Sequence, residues 1–155
     1  MLWVVTVAFG LFVLALAAPA ARNVREASMT IRLISTVASF RQVDRPPKAV
    51  PNKGDVFYLR SVLRNAVAQL GRPKGAVVGS DSAVFTLLSA KKAQVNVRVK
   101  LPGGTLRVQG GVDITKQPVV LPVIGGTGRF VNARGTAEVR DRSNYSLNVY
   151  RLRLP

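Results

Sequence analysis

The side chains in this sequence that could carry chemistry are few and of few kinds. Seven carboxylates and three tyrosines are present, and histidine and cysteine are both absent. Without histidine the usual near-neutral general base and the commonest metal ligand are missing. Without cysteine there is no thiol nucleophile and no disulfide framework. No two carboxylates stand at a metal-ligand spacing, so no metal and no other cofactor is expected. Asp113 and Glu138 read as partners for nearby arginines, worth little if exposed. Tyr58, Tyr145 and Tyr150 read as core or interface residues, with ligand stacking as the alternative. The glycines of Ile124-Gly125-Gly126-Thr127-Gly128 could suggest a phosphate loop, but no Lys-Ser/Thr follows them and no helix pattern does. They read instead as a tight corner in a curved sheet, followed by a strand that opens with the small residues Ala133 and Gly135.

The formal net charge is +16. It implies attraction to an anionic partner such as nucleic acid, membrane headgroups or envelope polymer, or simply a soluble basic surface. The basic residues are spread along the chain, and only Lys91-Lys92 form an adjacent pair. Few aromatics interleave with them, which disfavours a base-stacking platform and nucleic acid as the partner.

The elements that would position these residues are strands. At 155 residues the chain is one domain of ordinary size. Met29 to Phe40 is β-branched, and Val56 to Arg64 places Phe57, Leu59, Ser61 and Leu63 on one face. Gln94, Asn96, Arg98 and Lys100 alternate with Val95, Val97, Val99 and Leu101, a period-two pattern that predicts a half-buried strand. Pro102-Gly103-Gly104 turns the chain into a second alternating strand, with Leu106 and Val108 on its apolar face, so the two form a hairpin. Residues 62–70 also fit a short helix. The nearly continuous apolar run Val119 to Ile124 predicts a strand covered on both faces, by a subunit interface or a packed segment. In the last strand the apolar phase shifts at Val149-Tyr150, which predicts a β-bulge. About eight strands with frequent turn signals fit either an antiparallel sandwich or a barrel.

Residues 1–21 carry no charge and are strongly apolar, ending in Ala18-Pro19-Ala20-Ala21. They read as a signal peptide, or as a membrane anchor if left uncleaved. Residues 22–155 would then form the exported domain, in the envelope or secreted.

The sequence resembles the allene oxide cyclase/dirigent superfamily of small β-barrels. The resemblance rests on Gly54-Asp55-Val56-Phe57, Leu63-Arg64-Asn65, Val78-Gly79, the Leu101 to Thr105 hairpin and the Gly-Gly-Thr-Gly-Arg-Phe…Ala-Arg-Gly segment, in that order over roughly residues 29–154. It implies an all-β fold, a single antiparallel eight-stranded barrel, behind the N-terminal signal or anchor helix. It also implies an apolar pocket at one mouth that holds a reactive small molecule in one folded geometry, as an isomerase or cyclase or as a guide of radical coupling. Homo-oligomers, dimers or trimers, are implied as well. The departures are specific. The plant cyclases carry a carboxylate on the first strand and a pocket cysteine, and dirigents a His-Asp pair on that strand; none of these is present. With apolar faces inward, Phe57, Leu59, Ser61, Leu63, Val97, Val99, Leu106 and Val108 would line the interior. Ser61 would stand near the plant cyclases' pocket asparagine, or simply bond the backbone. Arg134 matches the dirigent pocket arginine after the turn, or lies solvated outside. The expected partner is an apolar small molecule. The alternative is a non-enzymatic cationic barrel docking on anionic envelope material.

Overall fold

A computed structural model describes residues 26–48 and 50–155. The expected signal or anchor, residues 1–21, lies outside the described residues. Eight strands follow one another: β1 (Ala27–Val43), β2 (Val56–Asn65), β3 (Val77–Leu87), β4 (Lys92–Leu101), β5 (Gly104–Asp113), β6 (Val119–Gly128), β7 (Arg134–Asp141) and β8 (Ser146–Leu154). Each pairs with the next, antiparallel, and β8 returns to β1, so the sheet closes into a barrel. The period-two patterns supply the reason. Alternate residues of most strands are largely apolar, and only closure or a second sheet can cover that face.

The apolar residues fill one end. Ile31, Leu33, Leu63, Leu106 and Phe130 are almost wholly buried there. Phe130 comes from the turn between β6 and β7 and folds back into the interior. Gly126 makes room for it: a Cβ at this position would lie 2.2 Å from the Thr105 carbonyl oxygen and 2.7 Å from that of Phe130. The glycine run therefore belongs to the end of β6, paired with β5, and the turn itself is residues 129–132. Asn65 ties the loop at the same end, its amide donating to the carbonyls of Gln69 at 2.6 Å and Arg72 at 3.0 Å.

The other end is the mouth, formed by loops 44–55, 88–91, 114–118 and 142–145. The first of these is pinned by Asp55, a wholly buried carboxylate that accepts the N–H of Arg45 at 2.8 Å and of Asn52 at 3.1 Å. Asp55→Ala strands both donors, and each buried unpaired donor costs about 1–3 kcal/mol. A loss of roughly 2–4 kcal/mol in urea unfolding is expected; an unchanged midpoint would show that the loop does not depend on this carboxylate.

Two sequence expectations are corrected. Residues 62–70 are not helical: β2 runs on to Asn65, whose side chain then holds the following turn. No bulge interrupts β8, which pairs with β7 in unbroken register, because the polar Asn148 and not Val149 faces inward. The bulges lie instead at Val37/Ser39, Leu63/Arg64 and Arg107/Val108. Among the described residues the run Val119 to Ile124 buries Leu121 and Val123 and leaves Val120 and Ile124 exposed on the outer wall, the face for which a subunit interface or a packed segment is expected.

Candidate functional site

Above the packed end the barrel interior is open. A cavity of about 200 Å³ remains, several times the roughly 30 Å³ a water molecule takes in the liquid. Its wall has two halves. Strands β4 to β7 contribute Val95, Val97, Val108, Val119, Leu121, Ala137 and Val139, with the exposed Asp141 at the rim. Every buried polar group comes from the adjacent strands β8, β1, β2 and β3: Asn148 and Tyr150, Ser35, Ser61 and Asp81. The arc is continuous because these four strands are neighbours in the closed sheet.

Asp81 is the centre of that arc. It sits directly opposite Ser61 in the β2–β3 register. The hydroxyls of Ser61 and Ser35 bond its carboxylate, that of Ser35 over a long 3.3 Å. Burial pushes its pKa above the ordinary carboxylate value, and the two serine hydrogen bonds oppose that only in part. The Tyr150 phenol is pushed up too, by burial first and then by the Asp81 charge, while its hydrogen bond to the Asn148 side chain works the other way. The Oδ1 atom of Asn148 is buried and accepts no hydrogen bond among the described residues. Such an acceptor is costly to leave unpaired and suits a ligand hydroxyl.

The residues singled out from sequence fall in three places. Leu59, Ser61, Val97 and Val108 stand on the cavity wall. Leu63, Val99 and Leu106 face inward but belong to the packed core. Phe57 also shares the inner face, higher up, stacked on Phe40 with ring centroids 6.0 Å apart. Arg134 is exposed on the outside and donates to the carbonyls of Ile124 at 2.8 Å and Ala133 at 3.0 Å, so it braces the turn and does not reach the cavity. Asp113 and Glu138 pair with basic residues, Lys116 in one case and Arg140 and Arg151 in the other. Sequence reasoning missed Asp81 and Asn148. Their only signal is parity: Asp81 keeps step with Ala83 and Phe85, and Asn148 with Tyr150 and Leu152.

The rim is uneven. β1 pairs with β8 only as far as Ser35–Ser146, yet continues along β2 to Val43. Phe40 is the register partner of Leu59 and so faces the inner side of this taller wall. Val37 and Phe40 are each more than half exposed there. The inner wall thus continues the cavity outward as an apolar ramp. On the outer wall Arg98 lies directly opposite Arg107, and no carboxylate pairs with either among the described residues.

The dirigent-like protein family model matches residues 38–153. Among curated protein sequences there is no match. Solved structures share the fold. A pyocyanin demethylase is 17% identical with a TM-score of 0.68, over 80% of this chain and 99% of that one. A nonspecific heme-binding cyclase that catalyses a (4 + 2) cycloaddition in neoabyssomicin biosynthesis is 18% identical with a TM-score of 0.69, over 84% of this chain and 68% of that one. A Diels-Alderase from Streptomyces koyangensis is 18% identical with a TM-score of 0.68, over 86% and 71%. At these identities the likeness is one of fold.

Proposed function

The chain belongs to the dirigent-like protein family, and on that premise we propose that its barrel binds an apolar small molecule bearing a hydroxyl or carbonyl oxygen and steers it through a cyclisation or a stereoselective coupling. The observation that carries this reading is the divided cavity, with one wall apolar and the other bearing Asp81, Asn148, Tyr150 and two serines. An apolar wall excludes water and packs the carbon skeleton, while a few convergent polar groups fix its orientation. Asp81, whose pKa burial raises, donates to a carbonyl oxygen when it is protonated. Asn148 accepts from a hydroxyl. Holding the reacting ends together in this way lowers the barrier by orientation. A ring closure that redistributes electrons within the bound molecule needs no residue to take up a proton, so the lack of histidine is no obstacle. The cyclase and the Diels-Alderase of the same fold are consistent with such chemistry. Export through residues 1–21 is part of the proposal.

The test uses the full chain and a neutral fluorescent probe, N-phenyl-1-naphthylamine. Ala83 lines the cavity beside Asp81, and Ala83→Phe would fill much of it. Saturable binding of the probe, weakened at least about tenfold by Ala83→Phe, is expected, a difference of about 1.4 kcal/mol. Equal binding by both proteins would place the probe elsewhere and overturn the reading.

A further inference from the structure

The mouth carries a second pattern, independent of the cavity's interior. Each of its four loops places an exposed apolar side chain beside basic ones. Loop 44–55 holds Val50 with Lys48 and Lys53, and loop 88–91 holds Leu88 with Lys91, next to Lys92. Loop 114–118 holds Ile114 with Lys116, and loop 142–145 holds Tyr145 with Arg142. Lysines 48, 53, 91 and 92 and Arg142 make no ion pair among the described residues. This end has four carboxylates: Asp44 is half-buried in loop 44–55, and the other three are hydrogen-bonded by their own loops and strands, Asp55 by backbone N–H groups, Asp113 by Thr115, and Asp141 by Ser146 and Gln117. Against them stand Arg45, Lys48, Lys53, Lys91, Lys92, Lys116 and Arg142, so what the mouth presents outward is apolar and, on balance, positive.

We infer that the mouth docks on an anionic phospholipid bilayer and that the cavity takes its ligand from that bilayer. Apolar tips ringed by lysine and arginine match the interface of such a membrane, where the tips enter the acyl boundary and the cations meet headgroup phosphates. The ramp of Val37 and Phe40 joins the loops to the cavity, so a molecule leaving the bilayer need not cross water. The opposite end offers no such path, being filled by Phe130, Leu63 and Leu106. The ligand's source rests on the proposed function; the docking itself does not.

The chain lacks cysteine, so one introduced cysteine carries one label. Full-length Leu88→Cys and Ile114→Cys report from the mouth, Val131→Cys from the filled end and Asn96→Cys from the basic outer wall. Each carries an environment-sensitive nitrobenzoxadiazole dye and meets vesicles of phosphatidylcholine with or without phosphatidylglycerol. The two mouth labels should brighten several-fold on the anionic vesicles only, and lose most of that in about 0.5 M salt, where charges are screened beyond a few ångströms. An equal response at Asn96 would make the basic wall the docking face, and one at Val131 would put the end where β1 begins on the bilayer. Either result, or silence at Leu88 and Ile114, overturns the inference. Probe binding without vesicles is measured alongside. If it persists while the mouth labels stay silent, only the docking fails. If it is absent while they respond, only the proposed function fails.

Discussion

Gly126→Ala should leave little folded barrel at room temperature. The added Cβ would meet backbone oxygen on two sides, Thr105 at 2.2 Å and Phe130 at 2.7 Å, and the Phe130 Cβ at 2.8 Å. Backbone atoms cannot rotate away, so one of two things must give. Either the β5–β6 ladder opens at Leu106–Gly126, or the turn lifts Phe130 out of the core. Emptying the space of a fully buried phenylalanine costs about 3–5 kcal/mol on its own. That is a large share of the roughly 5–15 kcal/mol by which domains of this size are stable. Gly111→Ala is the control, since a Cβ there would approach only the Gln94 side chain, at 3.9 Å. Thermal melting followed by circular dichroism should show a mild change for Gly111→Ala and a loss of at least about 3 kcal/mol, or no cooperative transition, for Gly126→Ala. Equal melting of the two would mean that Phe130 is not the plug of that end.

The contrast between these glycines also marks what was legible in the sequence. The alternating strands could be read because each inward face is apolar, so β2, β4 and β5 carry their inner residues where parity puts them. The motifs of the family resemblance turn out to be ties: Asp55 and Asn65 hold loops, and Gly126 admits Phe130. Their residue types are demanded by backbone contacts, which is why they stand out without any chemistry. The cavity's polar arc had the opposite fate. Gly79-Ser80-Asp81-Ser82 is made of turn formers by type, so the middle of β3 does not announce a strand, and Asp81 hides among residues that suit a loop. Asn148 breaks the apolar face of β8, and the eye moves the phase to Val149 to restore it. Both are places where a polar residue occupies an inward position, against the pattern that identifies the strand. Arg134 is a different case. The resemblance argued for the pocket, with a solvated outer position as the alternative, and the structure holds the alternative, with two carbonyls of the turn as partners.

Asp81 should give the largest functional effect, and its two substitutions separate charge from hydrogen bonding. Its folded pKa is raised above the ordinary value of 3.8, chiefly by burial. A carboxyl raised in the folded state favours the native protein while protonated. That contribution is complete below the unfolded pKa and is lost as pH rises through the raised folded value, by about 1.4 kcal/mol for each unit of the raise. Asp81→Asn keeps the shape and cannot ionise. It should therefore match the parent protein in acid and be the more stable of the two at neutral pH. Binding should follow the same proton. For a ligand that offers a carbonyl, the parent's affinity declines as Asp81 ionises and stops donating, while Asp81→Asn holds a flat profile. Asp81→Leu removes the donor at every pH and strips Ser35 and Ser61 of their acceptor, a loss of about 1–3 kcal/mol or roughly tenfold to a hundredfold in affinity. Competition of carbonyl-bearing ligands against the neutral probe, run across pH for all three proteins, reads both effects. A purely structural Asp81 would weaken carbonyl ligands and the carbonyl-free probe alike in Asp81→Leu, and would give the parent and Asp81→Asn the same pH profile. Either outcome would remove Asp81 from the site and leave Asn148, Tyr150 and the two serines as the cavity's polar groups to select a ligand.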